Sequence, residues 1–244
     1  MRERPGRVPR LYLAAELRQG ARVALAEEQA HHVARVLRLR EGDAAVLFDG
    51  RGGEFEARLF MPGRGRVLAE IGARRALERE SPLGATLVQG VSGGDRMDFT
   101  VQKAVELGVA AIQPVLAEKS VVRLDAAREA KKLAHWRRVA VAACEQCGRN
   151  TLPEIREPLP LARYRPEGEG ARILLSPGGS ARLADQARPP IVLAAGPEGG
   201  FSDDEESRLV AADFVRVRLG PRVLRTETAA LAALAALNAL AGDF

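Results

Sequence analysis

The hydrophobic pattern changes character near residues 72–84 and divides the chain into two parts. In the first part, short apolar segments are separated by glycines, and residues 54–59 alternate polar and apolar side chains with a period of two. Such alternation is typical of a half-buried strand. The glycine-rich residues 49–53 predict a hairpin turn. The pattern as a whole predicts three strands, at residues 44–48, 54–60 and 66–71.

One amphipathic segment interrupts these strands. Residues 27–40 predict a helix with Val33, Val36 and Leu37 facing inward, and Gly42 lies just past its end. Residues 1–73 are therefore predicted to form a small β-barrel domain that carries one helix. Residues 74–84, which include Ser81 and Pro82, are predicted to form a linker.

From Gly84 onward, predicted strands alternate with predicted helices. Asp95 is expected to cap one helix, a longer helix is expected from about Asp125, and the Ala- and Leu-rich residues 226–241 predict a helix that is buried or forms a partner interface. Alternation of this kind indicates a mostly parallel sheet covered on both faces. We therefore predict an α/β fold for residues 85–244. Its strands are expected at residues 85–91, 109–116, 172–175, 191–195 and 214–219.

Two of these helices carry apolar stripes at spacings of three and four residues. One stripe comprises Met97, Val101, Ala104 and Val105, and the other comprises Leu133, Trp136, Ala140, Ala143 and Cys147. Cys144 and Cys147 form a C-x-x-C motif, but they lie at the end of a long helix, where the dipole does not favour a thiolate. No second Cys/His pair has zinc spacing. We interpret both cysteines as core thiols and predict no metal site.

The composition is that of a globular protein, with 46% hydrophobic and 28% charged residues. There are 37 basic and 32 acidic residues, and only four of the basic residues are lysine. Arginine makes forked contacts to phosphate, which points to a nucleic-acid partner, although a codon bias explains the arginine content equally well. Two cysteines provide no disulfide framework, no secretory signal opens the chain, and the apolar run at residues 229–237 is too short for a bilayer. We expect a cytoplasmic protein with no membrane partner.

Three loops rich in glycine and proline follow predicted buried strands: residues 176–179, 196–201 and 219–222. Ligands of open α/β sheets bind beyond the carboxyl ends of the strands. One such loop alone would be an ordinary turn, but three at equivalent positions predict a shared ligand pocket. No G-x-G-x-x-G or P-loop motif is present. The pocket therefore suits a ligand that is held by main-chain atoms and apolar contacts, such as an adenosine without a polyphosphate.

Two residues of these loops are candidates for chemistry. Glu198 lies inside the second loop, where burial or ligand contact is plausible, and Arg225 lies at a helix start, where its charge opposes the helix dipole. Residues 202–205 form a capping box, so Ser202 and Glu205 receive no chemical role. In the first part of the chain, His31, Arg35 and Arg38 share one polar helix face. That face is either solvated or contacts RNA phosphates.

Six segments resemble motifs of the ribosomal RNA small-subunit methyltransferase E family: residues 31–43, 94–98, 102–108, 145–149, 196–202 and 219–229. The resemblance extends from about Pro9 to the C-terminus, and the last two motifs are the most specific. It implies a catalytic domain of the SPOUT type with a C-terminal trefoil knot, an N-terminal PUA-like β-barrel and a homodimer. One departure is visible at Cys147, where the family pattern has serine; we expect altered packing and retained activity.

The resemblance also implies an activity, namely methylation of a uridine at N3 in 16S rRNA with S-adenosylmethionine as cofactor. The partner would be 16S rRNA or the small ribosomal subunit. Arg225 is the candidate for stabilising the uridinate, and Glu198 is the candidate for taking its proton or for ordering the loop. The implied cofactor-binding residues are Leu175, Ser176, Pro177, Gly196, Glu198, Gly200, Leu219, Gly220, Val223, Leu224, Arg225 and Thr226. The candidate RNA-binding residues are Arg7, Arg10, His31, His32, Arg35, Arg38 and Arg96.

Two other functions fit the same sequence. One is a non-catalytic RNA-binding or ribosome-assembly protein that retains the fold. The other is a related knotted methyltransferase that acts on tRNA or on a ribose hydroxyl. Binding of S-adenosylmethionine separates the first from an enzyme, and mapping of the methylated nucleotide separates the second.

Overall fold

A computed structural model of the chain describes residues 8–63, 65–120 and 126–244. The chain forms two compact units. The first comprises Met1–Arg79 and Cys144–Leu152, and the second comprises Glu80–Ala143 and Pro153–Phe244. The assignment of residues 144–152 to the first unit was not anticipated from the linear order of the sequence.

The first unit is built on a five-stranded sheet with the strand order β1-β3-β4-β5-β2. Neighbouring strands are antiparallel except β1 and β3, which are parallel. The three predicted strands are present, and β5 continues beyond the predicted end of its domain at residue 73. The two short strands β1 and β2 were missed. The strands are β1 (Arg10–Tyr12), β2 (Arg22–Ala24), β3 (Ala44–Phe48), β4 (Glu54–Gly63) and β5 (Arg66–Arg75).

The helix of this unit is shorter than predicted. Helix α1 (Glu27–His31) continues as a single π-helical stretch over His32–Val36, closed by a hydrogen bond from the Leu37 amide to the His32 carbonyl. Val33 is fully buried, whereas 62% of Val36 and 36% of Leu37 are exposed. The wider turn changes which residues face inward, and Arg38 ends the helix with a φ of 53°. The predicted extension to residue 40 and the inward Val36 and Leu37 are therefore wrong.

The second unit contains a parallel sheet with the order β12-β10-β11-β6-β7-β8, and β9 also pairs with β7. This confirms the predicted α/β fold with a small β unit at the N-terminal side; the trefoil knot stays a prediction. The two-residue strands β8 and β9 were missed. The strands are β6 (Thr86–Gly90), β7 (Ala111–Leu116), β8 (Glu154–Ile155), β9 (Leu159–Pro160), β10 (Ala171–Leu175), β11 (Ile191–Ala195) and β12 (Val215–Val217).

Helices cover the sheet of the second unit, and their apolar stripes are those predicted. The stripe of α2 is buried from Met97 to Val105, although Gly94 rather than Asp95 occupies the cap position. Leu133, Trp136, Ala140 and Ala143 of α3 are also buried, while Cys147 is only partly buried. None of the described helices is long and apolar enough to span a bilayer. The helices are α2 (Asp95–Glu106), α3 (Ala126–Cys147), α4 (Asp203–Ala211) and α5 (Thr226–Ala241).

Candidate functional site

The three loops singled out in the sequence line one cavity of about 540 Å³. They follow β10, β11 and β12, which are neighbours in the sheet, so their carboxyl ends meet at one edge. Of the predicted cofactor-binding residues, Gly220 alone does not line the cavity. The structure brings the other eleven together: Leu175, Ser176, Pro177, Gly196, Glu198, Gly200, Leu219, Val223, Leu224, Arg225 and Thr226.

Close backbone contact seats the second loop over the end of β6. A Cβ atom added to Gly90 would lie 2.4 Å from the backbone nitrogen of Pro197. No side chain fits in that space, so glycine at this position allows the second loop to rest on the strand. Sequence reasoning had not identified Gly90 as part of the site, because its role depends on a residue that lies more than a hundred positions away.

A buried polar chain ties the start of α5 to the second loop. The Gln89 side-chain amide donates to the Thr226 hydroxyl (3.0 Å), and that hydroxyl donates to the Gly196 carbonyl (2.5 Å). Gln89 is fully buried and Thr226 is 9% exposed. Arg225 occupies the cap position of α5, and Thr226 is the first helical residue and not the cap. Its hydroxyl instead fixes the distance between two walls of the cavity.

Glu198 has two fixed partners. Its Oε1 accepts hydrogen bonds from the Gly93 amide (2.9 Å) and from Arg96 Nη1 (3.0 Å). Burial by itself would raise the pKa of Glu198, but these hydrogen bonds and the Arg96 charge outweigh it and leave the pKa below its ordinary value. A carboxylate with a lowered pKa is a weak proton acceptor, so this geometry favours the loop-ordering role of Glu198.

Glu206 is a second carboxylate at the cavity, and it was not predicted from the sequence as a site residue. Its Oε2 accepts a hydrogen bond from the Ser176 hydroxyl (3.1 Å) and forms an ion pair with Arg216 (2.9 Å). Glu206 lies in the first turn of α4 directly after the predicted capping box, which is present between Ser202 and Glu205. The capped helix start therefore places Glu206 where it links the first loop to β12.

The third loop is the least constrained wall of the cavity. No backbone group of residues 219–224 forms a hydrogen bond with another backbone group in the described chain. Arg218, Arg222 and Arg225 also line the cavity, and their guanidinium groups have no hydrogen-bond or ion-pair partner among the described residues. Free main-chain donors and acceptors beside apolar side chains suit a nucleoside, and unpaired arginines suit negative charge.

Glu227, the second residue of α5, is a third carboxylate at the cavity and was not predicted. Its Oε2 atom is buried and has no hydrogen-bond partner. Within the part of the chain that the structure describes, no ion pair of Glu227 is present either. It differs in this respect from Glu198 and Glu206, which are both engaged.

The candidate RNA-binding residues have different surroundings. His31, His32, Arg35 and Arg38 are exposed on α1 and the turn that follows it. Arg96 is paired with Glu198, and Arg7 lies outside the described residues.

Arg10 requires a correction. Its side chain is 8% exposed, pairs with Glu54 and donates to the Asn150 side chain. A guanidinium buried in this way does not reach a phosphate, so Arg10 stabilises the first unit instead.

The cysteines and histidines do not group into a metal centre with other described residues. Cys144 is fully buried, and its thiol contacts the Thr151 carbonyl at 3.9 Å. No group of three or more His, Cys, Asp or Glu side chains in the described ranges could hold a metal ion.

Comparisons with known proteins agree on one family. A family model described as an RNA methyltransferase domain matches residues 79–238, and one described as an RNA methyltransferase PUA domain matches residues 25–72. A protein of Buchnera aphidicola (subspecies Schizaphis graminum) named ribosomal RNA small subunit methyltransferase E is 34% identical, over 97% of this chain and 98% of the relative. The protein of that name in Synechocystis is 35% identical, over 95% and 77% of the two chains.

Two solved structures have nearly the same fold over the whole chain. One is a putative methyltransferase from Legionella pneumophila in complex with S-adenosylmethionine, with a TM-score of 0.94 and 40% identity, covering 98% of this chain and all of that one. The other is a ribosomal RNA small subunit methyltransferase E from Neisseria gonorrhoeae bound to S-adenosylmethionine. Its TM-score is 0.90 and its identity 43%, with the same coverage.

Proposed function

Because the chain belongs to the ribosomal RNA small subunit methyltransferase E family, we propose that it methylates N3 of one uridine in 16S rRNA. The enzyme class is that of the family, an S-adenosylmethionine-dependent rRNA methyltransferase. The names of the relatives specify neither the position on the base nor the nucleotide, so both are part of this proposal.

The observation that carries the proposal is the single cavity formed by the three loops. Its volume of about 540 Å³ lies in the range of small-molecule sites. The unpaired main-chain groups of residues 219–224 can pair with the edge of an adenine, and the Gln89–Thr226–Gly196 chain keeps the opposite walls at a fixed distance. The residues present therefore fit S-adenosylmethionine. We assign its binding to the twelve loop residues named from the sequence, including Gly220 at the margin.

When bound, the cofactor supplies a methyl group activated by a sulfonium. The work of this chain is to position and activate the nucleophile, and positioning can lower the barrier by roughly 7–11 kcal/mol in ideal cases. Uridine N3 carries a proton at neutral pH, and its removal leaves negative charge on the two carbonyl oxygens. Arg225, which lines the cavity and has no partner in the described chain, donates to those oxygens and stabilises the anion.

RNA binding is assigned to the first unit, which contains the match to the PUA domain. His31, His32, Arg35 and Arg38 are exposed there and offer positive charge to phosphates. A uridine inside structured RNA must be unstacked before it enters the cavity. We also infer a homodimer that works in the cytoplasm, where its rRNA substrate is found; the exposed Leu240 and Phe244 near the C-terminus provide apolar surface for a partner.

The decisive experiment is mass-spectrometric mapping of 16S rRNA from a deletion strain. We expect one N3-methyluridine to disappear and to return when the gene is supplied again. The purified protein, given S-adenosylmethionine and either free 16S rRNA or small subunits from the deletion strain, should restore the same methyl group. Unchanged 16S rRNA with a methyl group missing from tRNA would overturn the substrate, and failure of calorimetry to detect cofactor binding would overturn the enzyme assignment.

A further inference from the structure

Three glutamates line the cavity, and they differ in the hydrogen-bond and ion-pair partners of their carboxylate groups. Glu198 is held by the Gly93 amide and Arg96. Glu206 is held by the Ser176 hydroxyl and Arg216. Glu227 has no hydrogen-bond or ion-pair partner among the described residues, and its Oε2 is buried. Glu227 is therefore the only one of these three carboxylate groups that has no hydrogen-bond or ion-pair partner in the described chain.

A buried carboxylate oxygen without a partner is unfavourable and calls for an explanation. The N-terminal turn of α5 favours a negative charge at Glu227, because the helix dipole is positive at that end. The dipole explains a carboxylate in this turn, but it leaves the buried Oε2 without a hydrogen-bond donor. A donor supplied by the substrate would complete the site.

From these contacts we propose that Glu227, rather than Glu198, is the general base that removes the N3 proton of the target uridine. This inference rests on the proposed function. The N3–H proton moves to a Glu227 carboxylate oxygen, and the electron pair of that bond stays on the uracil ring. N3 then forms its bond to the methyl carbon as the carbon–sulfur bond of the donor breaks, and that electron pair returns to sulfur as a thioether. The proton leaves Glu227 for water.

The position of Arg225 supports this division of roles. Arg225 occupies the cap position of α5 and Glu227 is the second helical residue, so both arise from the same helix end and line the same cavity. The two side chains do not pair with each other in the described structure. A cation directed at the uracil carbonyl oxygens and an anion directed at N3–H have complementary tasks, and each would be weakened if the two groups neutralised one another.

The test compares Glu227→Gln with Asp204→Asn. Asp204 is also the second residue of its helix, α4, but it is exposed and does not line the cavity, so it reports the loss of a favourable charge–dipole interaction alone. We expect Glu227→Gln to lower the single-turnover rate by about 100-fold or more, the contribution typical of a general base. S-adenosylmethionine affinity by calorimetry and rRNA affinity should change by less than about threefold. Asp204→Asn should match the wild type in all three measurements.

A substrate with a more acidic N3 gives a second readout. A 5-fluorouridine in place of the target uridine loses its N3 proton more readily, so it depends less on a base. The defect of Glu227→Gln should shrink on this substrate and also as the pH is raised, whereas a purely structural defect would persist under both conditions.

Three results would overturn the inference. A loss of cofactor affinity equal to the loss of rate would make Glu227 a cofactor ligand, and behaviour like that of Asp204→Asn would leave it a dipole partner. A defect that is the same on the fluorinated substrate would exclude proton removal. None of these three results would affect the proposed function, because the wild-type protein would still methylate 16S rRNA. If the wild-type protein left 16S rRNA unmodified, the proposed function itself would be overturned.

Discussion

At the scale of single residues, carboxylates of one chemical type have different pKa values according to their partners. Burial raises the pKa of Glu145, and the hydrogen bond from the Tyr12 amide with the charges of His32 and Arg10 does not offset it. Burial also acts on Glu54, but Arg10 and Arg79 outweigh it and lower the pKa. The sequence does not distinguish these outcomes, because the partners of each group come from distant positions.

The first prediction at this scale concerns Glu54→Gln. Glu54 and Arg10 are both nearly buried, so the variant leaves a buried guanidinium without its counter-charge, and we expect unfolding free energy to fall by about 3–5 kcal/mol. A lowered carboxyl pKa stabilises the fold above the ordinary value of 4.5, and that stability is lost as the pH falls through the lowered value. Urea unfolding from neutral to acidic pH should therefore show a steeper loss for the wild type than for Glu54→Gln.

The control is Glu56→Gln, which removes an exposed pair with Arg75. Exposed pairs contribute about 0–1 kcal/mol, so this variant should unfold almost like the wild type. Equal destabilisation by both substitutions would show that the burial of the Arg10–Glu54 pair does not matter.

The second prediction at this scale concerns Arg225→Ala. Arg225 is exposed, and its guanidinium has no hydrogen-bond or ion-pair partner among the described residues, so its removal should not disturb the fold. Loss of one donor to a developing oxyanion costs about 10²–10³ in turnover, and we expect that loss with little change in cofactor affinity. Turnover and calorimetry with S-adenosylmethionine measure the two effects, with Arg208→Ala on the exposed face of α4 as the control. Equal losses in rate and affinity would show that the Arg225 side chain serves cofactor binding rather than stabilisation of the uridinate.

At the scale of elements, how well the sequence predicts a helix or a strand depends on the length of that element and on how many neighbouring elements bury it. Residues 191–195 and 226–241 were predicted with the bounds that the structure shows, because a buried strand and a long apolar helix carry many concordant positions. Strands of two or three residues, such as β1 and β8, are too short to display a period and depend on tertiary pairing. The π-helical turn after α1 likewise could not be predicted from the hydrophobic pattern of the sequence.

The candidate site could be predicted in outline for a related reason. Glycine and proline after each buried strand indicated the three loops, and parallel topology requires their ends to meet at one edge. The partners inside the site could not be predicted. Gln89, Gly90 and Glu206 contribute through packing and hydrogen bonds to residues in other elements, which single-sequence patterns do not report.

The prediction at this scale is that Gly90→Ala displaces the second loop. The added Cβ would lie 2.4 Å from the Pro197 nitrogen, so the backbone must shift. Overpacking of this kind costs about 1–3 kcal/mol, and we expect the S-adenosylmethionine dissociation constant to rise roughly tenfold or more. In Gly178→Ala, by contrast, the new Cβ meets its nearest neighbour at 3.8 Å and should leave affinity unchanged. Calorimetry on both variants decides the matter; equal affinities would mean that the loop is not seated by this contact.

At the scale of the whole molecule, the cavity residues and the proposed RNA-binding residues belong to different compact units. Every residue that lines the cavity belongs to the second unit, whereas the exposed His31, His32, Arg35 and Arg38 belong to the first. Residues 145–149, one of the family-like motifs, belong to the first unit and do not line the cavity. Glu145 of this motif accepts the Tyr12 amide at 2.9 Å, and the neighbouring Asn150 binds the Arg10 guanidinium. Substitutions in one unit should therefore affect RNA binding and cofactor binding separately.

This separation leads to the prediction for Arg35→Gln with Arg38→Gln. Each phosphate contact to single-stranded RNA contributes about 0.7 to the slope of log affinity against log salt, so losing two should weaken rRNA binding and flatten that slope by roughly 1.4. Cofactor affinity should stay unchanged, because the cavity lies in the second unit. Arg182→Gln with Arg188→Gln removes the same charge from exposed positions away from the cavity and controls for net charge. Filter binding across salt concentrations measures the slope for both double variants. An equal change of slope in the two would show that the surface carrying Arg35 and Arg38 is solvated and does not contact phosphates.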